Sequence, residues 1–297
     1  MKITVAKNSG LCYGVKRALN LAKETRNQKK GNVMTLGSLI HNPQVISDLE
    51  NEGIHIADSL DELKEGTVII RSHGVSPAVY NLLREKKIEI VDATCPIVKK
   101  IQKLVERLAN ENEEIVIVGN RKHPETIGLI GFSNEKGFVV ENESQIEYLS
   151  HKKKRVVLAQ STQDFYVFHK IVSVLIKKTE ELKVYNTICH FTQERQKSTS
   201  ELATQVDTLF IIGGKNSSNT NKLYQISKRI LQRTYFIENA EQIDNTMLKR
   251  ANKIGISGGA STPPEAIQEA VNKIKNSFKT NFNGRNSSNV RFTEKFR

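Results

Sequence analysis

Ile115-Val116-Ile117-Val118-Gly119 is a short apolar run, rich in β-branched residues, that ends in glycine and leads to the polar His123-Pro124-Glu125. Two other stretches share the plan. Val33-Met34-Thr35-Leu36-Gly37 leads to His41-Asn42-Pro43, and Leu209-Phe210-Ile211-Ile212-Gly213 leads to Asn216-Ser217-Ser218-Asn219. The three glycines are 82 and then 94 residues apart, the signature of an internal repeat. A second set lies inside each repeat. Thr67-Val68-Ile69-Ile70 runs into Arg71-Ser72-His73-Gly74, Arg155-Val156-Val157-Leu158-Ala159 into Gln160-Ser161-Thr162-Gln163, and Lys253-Ile254-Gly255-Ile256 into Ser257-Gly258-Gly259-Ala260-Ser261. Short β-rich runs alternating with helical segments indicate parallel sheets covered by helices on both faces.

The three cysteines follow the same rhythm. Cys12, Cys95 and Cys189 are 83 and 94 residues apart, nearly the spacing of the glycines. A strand precedes each one: Ile3 to Ala6, Ile88 to Val91, and Lys183 to Tyr185. Helical periodicity follows, through Val15, Ala18, Leu19 and Ala22, and through Ile97, Ile101, Leu104, Val105 and Leu108; after Cys189 it is weaker and starts later, at Leu202, Ala203 and Val206. The expected architecture is three similar α/β lobes with mainly parallel sheets in a pseudo-threefold arrangement. A first lobe spans 1–95, with the N-terminal strand and Cys12 at the centre, a second spans 96–188 and a third 189–275. The tail 276–297 is basic and polar, and its Gly284-Arg285 and Val290-Arg291-Phe292 resemble a strand returning to the first lobe.

At 297 residues the chain is long enough for several real hydrophobic cores. No segment approaches the roughly 20 consecutive apolar residues of a membrane span, and Met1-Lys2-Ile3-Thr4-Val5 lacks the apolar core of a signal peptide. A cytoplasmic protein is expected. The net charge of +13 attracts anionic partners without choosing among them, and its cations are scattered. The densest run, His151-Lys152-Lys153-Lys154-Arg155, reads as a solvated turn. There is no tryptophan and no basic–aromatic motif of the RNA-stacking kind.

In open α/β sheets the ligand sits at the carboxyl ends of the strands, where all three cysteines and all six polar loops lie. A thiolate at a helix N-terminus is favoured by the dipole, so lowered thiol pKa values are expected. Three such thiolates around one centre can hold a metal cluster. Structural zinc is the competitor, but its ligands usually come in closely spaced pairs. With no fourth cysteine, an ordinary four-thiolate 4Fe–4S site is incomplete, and one iron is left to bind substrate as a Lewis acid. Inert buried thiols also stay open.

The loops suit an anion. His41, His73 and His123 follow strands in the first two repeats, and Ser217, Ser218, Asn219 and Ser261 come from the third; histidines, hydroxyls and amides near helix N-termini match a phosphate or diphosphate. Individually each has a structural explanation as a turn, cap or packing residue. Of the other histidines only His190, beside Cys189, is even a weak candidate. Glu125 stands apart as an acid in this set. It reads either as a carboxylate favoured by a helix dipole or as a proton donor to a leaving group, relayed through a hydroxyl such as Thr162.

At these residues the sequence resembles the LytB/IspH family, the 4-hydroxy-3-methylbut-2-enyl diphosphate reductases. The resemblance runs through Gly10-x-Cys12-x-Gly14-Val15-x-Arg17-Ala18, His41-Asn42-Pro43, Ser72-His73-Gly74-Val75, Asp92-Ala93-Thr94-Cys95-Pro96 and His123-Pro124-Glu125. It continues through Gln160-Ser161-Thr162, Ile188-Cys189-x-x-Thr192-x-x-Arg195-Gln196, Lys215-Asn216-Ser217-Ser218-Asn219 and Gly259-Ala260-Ser261. Each motif is weak alone; their common order and spacing are specific. The resemblance implies one 4Fe–4S cluster per chain on Cys12, Cys95 and Cys189. It implies a diphosphate held by His41, His73, His123, Ser217, Asn219 and Ser261, with Ser218 beside them, and a proton delivered by Glu125 with help from Thr162. The implied reaction is the last step of the methylerythritol phosphate route to isoprenoids, in which two electrons and two protons turn a hydroxylated allylic diphosphate into isopentenyl and dimethylallyl diphosphates. Where the family pattern has a Thr-Thr pair, this chain has Ser161-Thr162, which keeps both hydroxyls. The basic charge suggests docking of an acidic ferredoxin or flavodoxin, with no nucleic acid and no membrane as partner. The alternatives are a basic RNA-associated protein with structural cysteines, and a hydratase with a substrate-ligating cluster.

Overall fold

One apolar run of each repeat becomes a strand whose every residue is buried: β4 (Thr67–Ile70), from the second set, and β6 (Ile115–Val118) and β10 (Thr208–Ile212), from the first. The structure, a computed structural model, describes residues 1–282 and 293–296. It holds three parallel sheets, each in its own α/β lobe. Parallel neighbours need a crossover, and helices supply it. They are α1 (Tyr13–Gln28), α2 (Pro43–Asn51), α3 (Pro77–Glu85), α4 (Pro96–Asn110), α5 (Pro124–Phe132), α6 (Phe165–Leu175), α7 (His190–Ala203), α8 (Ser218–Ile230), the short α9 (Asn245–Leu248) and α10 (Pro264–Phe282).

Residues 13–40 and 44–189 form one compact unit with two of the sheets. The first has the order β3 (Ile54–Ala57), β2 (Val33–Leu36), β4, β5 (Glu89–Asp92). The second runs β7 (Phe138–Val140), β6, β8 (Lys152–Ala159), β9 (Thr179–Tyr185). Alternation across the second sheet is plain. Val116, Val118, Val157 and Ala159 pack with Phe168 and Ile171 of α6, while Ile115, Ile117, Val156 and Leu158 pack with Ile101, Val105 and Leu108 of α4 and Leu129 of α5. Burying such side chains stabilises by roughly 1.5–3 kcal/mol each, so both helix layers are held firmly.

Residues 1–12, 41–43 and 190–297 form the other unit. Its sheet has the order β11 (Thr234–Ile237), β10, β12 (Lys253–Gly258), β1 (Lys2–Val5), β13 (Thr293–Phe296). Here the expected boundaries need correction. The N-terminal strand does not belong with the first repeat; β1 pairs in parallel with β12, Ile3 opposite Ile254. The reason is the repeat itself. Each strand before a cysteine pairs with the third strand of the preceding repeat, β5 with β4 and β9 with β8, and the first such strand has only the last repeat to join. The tail strand β13 pairs in parallel with β1, Ile3 opposite Glu294. Gly284-Arg285 and Val290-Arg291-Phe292 lie outside the described residues. Among the described residues no helix is long and apolar enough to cross a membrane.

The basic run at 151–155 is also corrected. Lys152, Lys153 and Lys154 are exposed, but they open strand β8, and Arg155 is buried. Its guanidinium donates to Glu114 at 2.8 Å, to the Ser150 carbonyl at 2.6 Å and to the Lys178 carbonyl at 3.0 Å, which offsets the cost of burying the charge. Arg155→Ala should lower the unfolding free energy by about 3 kcal/mol or more, since it strips a partner from a nearly buried pair. Urea denaturation checks this; a loss under about 1 kcal/mol would mark Arg155 as an ordinary surface cation.

Candidate active site

The three cysteines are anchored alike. Cys95 is the N-cap of α4, with Pro96 at the first helical position, and its N–H donates to the Ser72 carbonyl at 3.0 Å. The Cys189 N–H donates to the Ser161 carbonyl at 2.9 Å. In the other unit the Cys12 N–H donates to the Ala260 carbonyl at 3.0 Å. Each carbonyl belongs to the second polar loop of a lobe, so the same bond recurs in three segments of different sequence. All three cysteines are half-buried and none is in a disulfide. The Cys95 side chain is not spent on capping its helix.

The turn into Cys95 is braced from several sides. Asp92 accepts from the Thr94 N–H at 2.9 Å, from Lys99 at 2.7 Å and from the Tyr80 hydroxyl at 3.1 Å. Burial pushes the Asp92 carboxyl up, but the hydrogen bonds from Lys99 and Thr94 outweigh it and hold it below the usual carboxylate range. Burial, partly opposed by Thr94, pushes the Tyr80 phenol up to about 12, so it stays a donor. Arg17 of α1 donates to the Thr94 carbonyl at 3.3 Å. In the neighbouring polar loop Gly74 has φ +73°, a conformation that favours glycine.

Glu125 is the most secluded acid of the unit, 1% exposed in the first turn of α5. Its carboxylate accepts from the Ser161 N–H at 2.6 Å and from Ser161 Oγ at 2.7 Å. Burial raises its pKa to about 7, against the lowering pull of both Ser161 bonds. Such an acid still holds its proton near neutrality. His123 caps the same helix; its Nδ1 accepts the Glu125 N–H at 3.2 Å, which leaves Nε2 to carry the ring hydrogen of the neutral form. The His73 ring meets the His123 ring edge-on, with centroids 5.3 Å apart.

Thr162 Oγ1 accepts from Gln160 Nε2 at 2.8 Å, and the hydroxyl on Glu125 is that of Ser161. Gln160 turns its other end to the Asn120 N–H at 3.0 Å, which fixes the loop so that Ser161 faces the acid. Ser161 therefore bonds the acid with its N–H and hydroxyl and anchors Cys189 with its carbonyl.

In the other unit, Ser217 Oγ accepts the Thr220 N–H at 3.3 Å and caps α8, while Ser261 Oγ donates to the His41 carbonyl at 3.1 Å. Ser218 opens α8. Asn219, in its first turn, is 3% exposed, and among the described residues neither its amide oxygen nor its amide nitrogen has a hydrogen-bond partner. Leaving a buried amide unmet costs about 1–3 kcal/mol, which a bound polar ligand would relieve. His190, the first residue of α7, stacks on Phe191 with ring centroids 3.9 Å apart.

The family model described as LytB protein matches residues 3–275. The chain belongs to the LytB family. Relatives match it over nearly their whole length. The 4-hydroxy-3-methylbut-2-enyl diphosphate reductase of Caldanaerobacter subterraneus subsp. tengcongensis is 44% identical over 279 residues, 93% of this chain and 97% of its own. That of Aquifex aeolicus is 44% identical over 278 residues, 92% of this chain and 96% of its own. A solved (E)-4-hydroxy-3-methyl-but-2-enyl diphosphate reductase, described as the terminal enzyme of the non-mevalonate pathway, matches with a TM-score of 0.67 at 43% identity, covering 93% of this chain and 99% of its own. The E-1-hydroxy-2-methyl-but-2-enyl-4-diphosphate reductase of Plasmodium falciparum matches with a TM-score of 0.89 at 26% identity, covering 100% of this chain and 92% of its own. LytB membership leaves the RNA-associated alternative without support.

Proposed function

We propose that this LytB-family chain is an oxidoreductase that converts 4-hydroxy-3-methylbut-2-enyl diphosphate, with two electrons and two protons, to isopentenyl or dimethylallyl diphosphate and water. The observation that carries the reading is the sealed Glu125, held by a residue, Ser161, whose carbonyl also anchors a cysteine. Three half-buried cysteines outside any disulfide, anchored by equivalent bonds and with no fourth in the sequence, fit a 4Fe–4S cluster with one iron lacking a protein ligand. Cys12, Cys95 and Cys189 would hold it, one cluster per chain. When bound, such a cluster supplies electrons and an iron open to an oxygen ligand.

The chain's own residues do the rest. Asn219 offers its unmet amide to the diphosphate, joined by Ser217, Ser218 and Ser261 and by the imidazoles of His41, His73 and His123. Neutral Glu125 holds the proton that leaves with the hydroxyl, and Ser161 orients it. Thr162, whose hydroxyl accepts from Gln160 in the same loop, assists Glu125 in delivering that proton. The test is an anaerobic assay with synthetic substrate and a low-potential reductant. Both allylic and homoallylic diphosphates should form, with two electrons consumed per molecule; no product despite a loaded cluster would refute the reading.

A reducing cytoplasmic setting suits three cysteines outside any disulfide. With a net charge of +13, the electron donor we propose is an acidic protein of the ferredoxin or flavodoxin type. Its reduction rate should drop several-fold as ionic strength rises from about 0.01 to 0.15 M, where the screening length shrinks from about 30 to 8 Å. A rate indifferent to salt would remove that partner.

A further inference from the structure

Thr192-x-x-Arg195-Gln196 has no part in the chemistry above, yet Arg195 is 3% exposed. From α7 its Nε donates to the Asn8 carbonyl at 2.7 Å and its Nη2 to the Gly10 carbonyl at 2.8 Å. Neighbouring α7 residues add to the grip. Ser198 Oγ donates to the Lys7 carbonyl at 2.8 Å, and Asn8 Nδ2 donates to Glu194 at 3.3 Å. The segment so held, Lys7 to Gly10, leads directly into Cys12. Its own side chains add a local bond, from Ser9 Oγ to the Ala6 carbonyl at 2.8 Å. Asn8 at φ 59° and Gly10 at φ 95° interrupt the extended backbone after β1, and the Gly10 N–H reaches the Gly258 carbonyl only at 3.4 Å. Beside it lies an open cavity of about 490 Å³, lined by Ala6, Asn8 and Ser9 and by Pro264, Ile267 and Gln268 of α10. Close packing is missing on that side, so the α7 hydrogen bonds set where the segment sits.

We infer that Arg195 is the positioning residue for Cys12: its two-pronged bond to the Asn8 and Gly10 carbonyls holds the segment that presents the thiol. The inference rests on the reading of Cys12 as a cluster ligand. A guanidinium suits the task because its rigid fork meets two carbonyls at once, which an ammonium cannot.

The experiment uses the full chain, wild type, Arg195→Lys and Arg195→Met, with site-resolved iodoacetamide alkylation of the cluster-free protein and anaerobic reconstitution with iron and sulfide. In Arg195→Met, Cys12 should be alkylated about tenfold faster, the shift expected from losing one or two charge-assisted hydrogen bonds, while Cys95 and Cys189 keep their rates. Iron per chain should fall with it, and Arg195→Lys should lie between the two. Three cysteines accelerating together, or an unchanged Cys12, would overturn the inference. Should the Met variant fail to fold, the Lys variant carries the same comparison at smaller amplitude. A wild type that takes up no iron would instead overturn the cluster reading, and the alkylation contrast would still judge Arg195.

Discussion

Glu125→Gln should hold its full iron content and bind substrate, yet turn over about a hundredfold more slowly or worse, the usual worth of a positioned proton donor. Gln keeps the shape, accepts the Ser161 N–H through its carbonyl oxygen and donates its amide to the rotated Ser161 hydroxyl, so the loop that also anchors Cys189 stays in place. What it lacks is a proton to give. The wild type has a second signature. With a pKa of about 7, Glu125 is neutral below that pH, so a donor role predicts turnover falling as pH rises through about 7. The same shift acts on stability. A carboxyl whose pKa is raised by folding stabilises fully below its ordinary value near 4.5, and the contribution fades as pH climbs through about 7. Glu125→Gln should flatten that part of the stability profile. Normal turnover in the variant would end the proton-donor role.

Cys95→Ser should lose most of its iron while folding almost as well as the wild type. The bond that places residue 95 is a backbone N–H to the Ser72 carbonyl, and the turn before it is braced by Asp92, Thr94 and Arg17, none of which the substitution touches. The cluster-free variant should therefore unfold within about 1 kcal/mol of the cluster-free wild type, as expected of a near-isosteric substitution that removes no helix cap. Iron retention separates the roles: an unchanged content would remove Cys95 from the ligand set, and a grossly unstable apoprotein would make it structural.

Much of this was legible in the sequence because repetition amplifies weak signals. Four-residue runs such as Ile115–Val118 are ambiguous alone, but three in register with three cysteines and six polar loops are not. Pairing was less legible. Nothing local to Lys2–Val5 says that its neighbour is Lys253–Gly258, because strand order in a parallel sheet is set by crossovers far along the chain. Hydropathy also hid α7, whose buried face is Thr192, Arg195, Gln196 and Thr199 before Leu202. On that face Arg195 grips two carbonyls and Thr199 shares a hydrogen bond with the Ser257 hydroxyl. Arg155 was misread for the related reason that a buried cation with its hydrogen bonds met looks, in sequence, like any lysine-rich turn.

The central claim is that three distant thiols serve one inorganic centre, and iron and acid-labile sulfide analysis of protein purified without oxygen tests it most directly. The account predicts a brown protein with about four irons and four sulfides per chain and no stoichiometric zinc. A colourless, iron-free protein, or one carrying a single zinc, would contradict it.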